Sequence, residues 1–256
     1  MSVQRRLTTV GIALTAFTVA DIVHEGLGHG GACLALAGKM LLLSSTYEDC
    51  SLRSPLIDGA GPMAGIVAAI LFYLVLRLKP AKNSATRAFL VLGFAFTAFW
   101  NFGYMIKSGF TNTGDWAFVI AGLHPAIVWR TVLTIFGIVF YAITMRLLTA
   151  SLRRDLIAAT PSPPDQTPFV FAALAFGTAV IAAFAAGLLD PRGWHTAWTD
   201  AAPSALAAIG LVRVGYRVHQ RDPAMRIAIV ASPAWIAIGG VSAVVLIAVL
   251  GPGLRF

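Results

Sequence analysis

The sequence predicts an all-α fold, a polytopic membrane helical bundle of about six or seven spans. Three observations predict it. Of the 256 residues, 58% are hydrophobic and only 12% are charged. Several nearly charge-free runs reach the ~20 residues that a helix needs to cross a bilayer. The basic residues gather in short clusters between those runs, where Lys and Arg set membrane orientation. This placement also explains the net charge of +8 without nucleic acid, which is excluded as a partner in favour of the lipid bilayer.

The first span covers about residues 7–37. It lacks a small-residue cleavage site and is expected to stay in the protein rather than leave as a signal peptide. "KMLLLSSTYEDCSLRSP" then mixes apolar residues with Ser, Thr and Tyr, which suits a short hairpin or re-entrant element. A second span follows "DGAGPMAG" and ends near Leu78, where basic residues and a proline stop it. The third covers about 88–106. "KSGFTNTGDW" reads as a loop whose aspartate is placed to cap the next helix. A short helix before Pro125 and a fourth span after it follow from the restriction that proline places on His124.

"TASLRRDLIAATPSPPDQTP" holds four prolines and marks a linker over 150–167. Beyond it, residues 168–256 carry accessory spans near 169–189, 201–218 and 227–250, with few polar residues inside them. In a seven-span arrangement one side holds thirteen basic residues: Arg5, Arg6, Arg77, Lys79, Lys82, Arg87, Arg146, Arg153, Arg154, Arg213, Arg217, Arg221 and Arg226. The other holds five, namely Lys39, Arg53, Lys107, Arg192 and Arg255, with Arg130 inside the fourth span. The asymmetry puts the N-terminus and the linker on the cytoplasmic side of an inner membrane. Cys33 and Cys50, the two cysteines, are expected to be buried inert thiols, with one disulfide as the alternative.

"VHEGLGHGG" carries the chemistry. Asp21, His24, Glu25 and His29 lie in one span, where a charged group costs several kcal/mol unless it is paired, hydrated or metal-bound. Two histidines one helical turn apart bind zinc in metallopeptidases, and the glutamate beside the first acts on the metal-bound water. Here the spacing is five instead of four. On an ideal α-helix, residues five apart diverge by roughly 140°, against roughly 40° for residues four apart. A π-bulge would bring His24 and His29 together. Alternatively a regular helix would present Glu25 and His29 as the metal-facing pair.

At these residues the chain resembles the site-2-protease family of intramembrane zinc metalloproteases, particularly its small bacterial members. "LGHGGACLALAGK" is similar to the stretch that follows the family's glutamate. "LIDGAGPMAG" resembles its Gly-Pro-x-x-Asn element, with Gly65 where the asparagine would stand. "NTGDW" falls where the family has an aspartate-glycine motif, here in the order Gly-Asp. The resemblance covers residues 7–149, and so makes 1–149 a metalloprotease-like core. It implies Zn2+ held by His24, His29 and Asp115, Glu25 as catalytic base, and Gly61, Pro62 and Asn101 as supporting or substrate-side residues. It further implies cleavage of membrane-embedded or membrane-adjacent peptide segments, with the 40–55 segment pairing with an unwound substrate strand.

Other readings of the same residues stand beside these. His24, Glu25 and His29 can form a metal-free hydrogen-bond cluster. Asp115 can be a helix cap only, Asp58 a turn residue, and Asn101 a helix-to-helix bridge. His124, His195 and His219 are not expected to be ligands. A non-catalytic metal-binding scaffold and, further off, a transporter are the rival functions.

Overall fold

The computed structural model describes residues 3–78, 84–156 and 166–256. Lys79, Lys82 and the prolines of the 150–167 linker lie outside the described residues. Among those described, six helices are long and apolar enough to cross a membrane: α1 (Val3–Ala35), α2 (Pro55–Leu78), α3 (Ser84–Thr111), α5 (Ala126–Leu156), α6 (Pro168–Gly187) and α9 (Pro233–Leu250). Between them stand β1 (Met40–Leu43), β2 (Glu48–Cys50), α4 (Asp115–Ile120), α7 (Ala202–Leu206) and α8 (Ile209–Arg221). A two-residue strand, β3 (Leu254–Arg255), follows α9. The chain is an all-α helical bundle carrying one small sheet, and it has the surface of an integral membrane protein.

α1 and α3 form the centre. Each is 67% buried along its apolar window, whereas α5 is 11% and α9 is 17% buried, so those two face lipid. Phe17, Phe96, Phe99 and Phe171 are enclosed between α1, α3 and α6. In a bilayer, helices gain little from hiding apolar surface from one another, so close backbone approach through small residues does the work. α1 meets α9 this way, since a Cβ on Gly239 would stand 2.2 Å from the Gly11 Cα. α1 meets α2 likewise at Gly28, where a Cβ would stand 2.4 Å from the Gly61 Cα.

A further segment beside these helices is discontinuous. A π-turn (Ala197–Ala201), α7 and α8 run back antiparallel along α6. Gly187 at the end of α6 packs on Ala197 and Ala201, while Gly215 packs on Pro168 and Ala172 at its start. The break between α7 and α8 is bridged by Tyr141, whose hydroxyl donates to Ala207 O at 2.7 Å and accepts from Gly210 N at 2.9 Å. Pro203 and Gly210 inside this segment are why its sequence reads as a short, uncertain span.

The hairpin expected after the first span is present. β1 pairs antiparallel with β2, matching Leu43 to Glu48 and Met40 to Cys50 around a bulge. β3 adds to the other edge of β1, giving the order β2-β1-β3 and bringing the C-terminus to the hairpin's end of the bundle. Cys33 and Cys50 are joined in a disulfide that ties the end of α1 to β2, so the expectation of inert thiols is corrected.

Several boundaries differ from expectation. α3 continues to Thr111, so the loop before Asp115 is only residues 112–114. α5 continues through a π-helical turn to Leu156, shortening the linker. Residues 227–232 are not helical, and Ile227 bridges to Gln166 instead. His219 lies in the last turn of α8. Arg130 sits in the first turns of α5, where it donates to Gly109 O at 2.9 Å and Phe110 O at 2.7 Å, closing the end of α3.

Candidate metal centre

Residues Ile22–Gly30 of α1 are π-helical. Because a π-helix bonds residue i to i+5, residues five apart come onto one face, as residues four apart do in an α-helix. The five-residue interval is absorbed in this way, and His24 and His29 present their rings to one place. Their centroids lie 5.0 Å apart.

Asp115 meets them there. Its Oδ2 lies 3.1 Å from His24 Nε2 and 3.3 Å from His29 Nε2. One ligand atom from each residue falls within 4.8 Å of the other two. Asp115 is the first residue of α4, behind Gly114 as the N-cap position, so its side chain is not the helix cap that the sequence suggested. Gly114 has φ +81°, a conformation that favours glycine, and a Cβ there would collide with the Tyr104 hydroxyl. Tyr104 OH accepts from Asp115 N at 3.3 Å and so fixes where α4 begins.

His29 Nδ1 donates to Ile57 O at 2.7 Å, since a carbonyl can only accept. In the neutral ring this leaves Nε2 as a lone pair aimed at the Asp115 carboxylate. Two acceptors at 3.3 Å require a proton or a cation between them. His24 is held by stacking on Trp100, with centroids at 4.8 Å, and Trp100 stacks in turn on Phe17. Its Nδ1 is buried without a partner. The donors present, two imidazoles and a carboxylate, are the set that zinc takes. Gly61 is the cradle beneath them, because a Cβ there would stand 2.1 Å from His29 Nε2.

Glu25 is buried, with Oε1 4.0 Å from His24 Nε2, adjacent to the three-residue cluster. These groups line a cavity of about 360 Å³ together with Ser45 to Glu48 of the hairpin, Asp58, Trp100, Tyr104, Lys107, Phe118 and, from the second half of the chain, Arg192, Asp200, Pro203, Ser204 and Ala207. The segment expected to be accessory therefore completes the cavity. Asp58, expected as a turn residue, is in the first turn of α2 and faces the cavity.

Electrostatics differ across the site. Burial pushes the Asp115 carboxyl up, but hydrogen bonds with His24 and His29 outweigh it and hold the group far below the usual carboxylate range. Burial pushes Glu48 up to about 7, with the carboxylates of Glu25, Asp49 and Asp58 adding to the shift against the pull of His29. Asp190 is held low because hydrogen bonds from Arg192 and Thr46 exceed the effect of burial. Arg192 reaches from that carboxylate to Thr46 Oγ1 at 2.8 Å and lies 4.4 Å over the Tyr47 ring, latching the hairpin turn to the second half of the chain.

Asn101 stands behind the cavity and does not line it. Its Nδ2 donates to Thr97 O at 2.7 Å, and its amide fills the space beside Gly65, where a Cβ would fall 2.1 Å from Nδ2. Pro62 is buried within α2. His124 is exposed, and His195 and His219 do not line the cavity. Tyr104, Glu48 and Arg192 were not singled out by sequence. Only the "DPRGW" loop, a charged pair directly after a long apolar run, offered a signal for Arg192. No family model matches the chain, and neither a curated protein nor a solved structure matches it.

Proposed function

We propose that the chain is a zinc-dependent intramembrane endopeptidase of site-2-protease type, acting on peptide segments within or beside the bilayer. The observation that carries this reading is the π-helical stretch that turns His24 and His29 onto Asp115 with Glu25 beside them. Zinc bound there would supply Lewis acidity and a water of lowered pKa.

His24, His29 and Asp115 would hold the ion, and Ile57 O orients His29. Glu25 would take the proton of the attacking water and then deliver it to the leaving amine nitrogen, so that it ends the cycle as it began. Burial of Glu25 suits both tasks by keeping bulk water away from the proton. A helical peptide bond is shielded, so a substrate must first be extended. β1 is paired on both edges, and of the hairpin strands only β2 keeps an outer edge for strand addition. Glu48 at its start lines the cavity.

Two features support a cytoplasmic N-terminus with the site toward the opposite face. Basic residues crowd the linker end, and the disulfide lies at the hairpin end, which suits an oxidising compartment. Transport has one feature in its favour, the broken helix of α7 and α8 beside the cavity. The titratable groups nonetheless gather at one end rather than tracing a path across the bundle.

The test is metal content and cleavage in parallel. Purified protein in detergent should retain about one zinc and cut an extended membrane-derived peptide. Glu25→Gln should keep the zinc and lose at least about 100-fold in rate. Absence of zinc after reconstitution defeats the metal reading, and full zinc without cleavage leaves a non-catalytic metal-binding scaffold.

A further inference from the structure

At the end of the bundle opposite the metal centre, α8 turns a row of arginines outward. Arg213, Arg217 and Arg221 are exposed and recur every four residues, whereas Leu211, Val214, Gly215 and Val218 on the other face are buried. Residues four apart on a helix stand about 6 Å apart along its axis and nearly in line. The three guanidinium groups therefore make a ridge. No described acidic side chain pairs with any of them. Of the described carboxylates nearby, Asp155 is taken by Arg154 at 2.8 Å, and Asp222 accepts from Ala224 N at 3.0 Å.

The depth of the ridge is fixed by packing. Gly215 lies against Pro168 and Ala172, the first turns of a membrane-spanning helix. Arg213 is consequently just inside the span, Arg217 is level with its start, and Arg221 is beyond it. Phe169 and Tyr216 pack edge to face at 6.1 Å beside the ridge, and both are partly exposed, as aromatic residues at a membrane boundary are. An exposed arginine at this depth cannot leave its charge in hydrocarbon and must reach to the headgroups.

Two simpler accounts cover only part of the pattern. Favourable interaction with the negative end of a helix dipole suits Arg217 and Arg221 but falls off before Arg213, two turns from the end. Membrane orientation needs a count of positive charges and not their alignment.

We propose that Arg213, Arg217 and Arg221 form a binding ridge for the phosphate groups of anionic phospholipids in the leaflet at the linker end. Arginine suits phosphate because its planar fork donates two parallel hydrogen bonds. This holds whether or not the distant site binds metal.

The test uses the full-length protein in nanodiscs of mixed phosphatidylglycerol and phosphatidylcholine, with bound lipid identified after release into detergent. Wild type should be enriched in phosphatidylglycerol. The triple variant Arg213→Gln, Arg217→Gln, Arg221→Gln should lose at least about tenfold of that enrichment, the equivalent of about 1.4 kcal/mol. A second triple variant, Arg6→Gln, Arg146→Gln, Arg153→Gln, removes the same charge from exposed positions on α1 and α5 and should lose clearly less of the enrichment. Unchanged enrichment in the ridge variant, or equal loss in both variants, would overturn the proposal. Displacement of the lipid by millimolar inorganic phosphate would overturn it too, by making the ridge a small-anion site. Should the ridge variant fail to insert, the triple lysine variant, which keeps the charge and loses the fork, must show reduced enrichment, and enrichment equal to wild type overturns the proposal.

Discussion

Gly61 shows how one missing side chain can decide a site. Its hydrogen leaves the space that His29 Nε2 occupies, and a methyl group there would stand 2.1 Å from that nitrogen. Gly61→Ala should therefore displace His29 and reduce bound zinc at least about tenfold, consistent with the loss of one ligand's orientation. Gly31→Ala, in the same helix as His29 but with nothing within 4 Å of the added carbon, should retain zinc. Elemental analysis of the two purified variants checks the pair, and equal zinc in both would remove Gly61 from the site. His24, Glu25 and His29 were legible in the sequence because such residues are costly in an apolar run. Asp115 was legible by its position after the third span. Tyr104 was not, because its contact with the Asp115 amide depends on how α3 and α4 pack, and no local pattern records that.

Among the elements, the hairpin is held at three points. The disulfide fixes β2 to the end of α1, β3 fixes β1 to the C-terminus, and Asp190 with Arg192 fixes the turn. The sequence separation of 17 between the cysteines gives a disulfide contribution of about 3 kcal/mol by chain entropy. Cys33→Ser with Cys50→Ser should lower unfolding stability by that order, measured by thermal unfolding in detergent. The Asp190 latch has a pH signature. Its folded pKa lies below the ordinary value of 3.8, so its stabilisation is present above that value and is lost as pH falls through the folded one. Asp190→Asn should therefore flatten the acid limb of the stability profile while leaving the neutral-pH shape unaltered. A steeper acid limb in the variant would contradict the latch. The hairpin was readable from its mix of β-formers, and the π-helical stretch from its glycines and its five-residue interval. The pairing of β1 with the last residues of the chain was not readable, because a two-residue strand has no periodicity to detect.

At the scale of the whole molecule, two independent asymmetries agree. Basic residues concentrate at the linker end, and the disulfide lies at the other end, with the His24, His29 and Asp115 cluster near it. Six long helices are apolar enough to cross a membrane, and a broken segment runs antiparallel beside one of them. Long apolar runs made the six spans legible. The broken segment was harder because proline, glycine and arginine dilute its hydropathy, and for the same reason its contribution to the cavity was hidden. If the linker end is cytoplasmic, the cavity opens toward the outer face, and residues at the two ends must differ in access. Cys33 and Cys50 are bonded to each other, so native thiols contribute little background to a labelling experiment. Arg53→Cys, exposed just after the hairpin, and Gln220→Cys, exposed at the end of α8, place one reporter at each end. An impermeant thiol reagent added to intact cells should modify position 53 and spare position 220 until the membrane is opened. The reverse result would invert the topology, and it would place both the disulfide and the proposed peptidase site in the reducing compartment, where that bond would not persist.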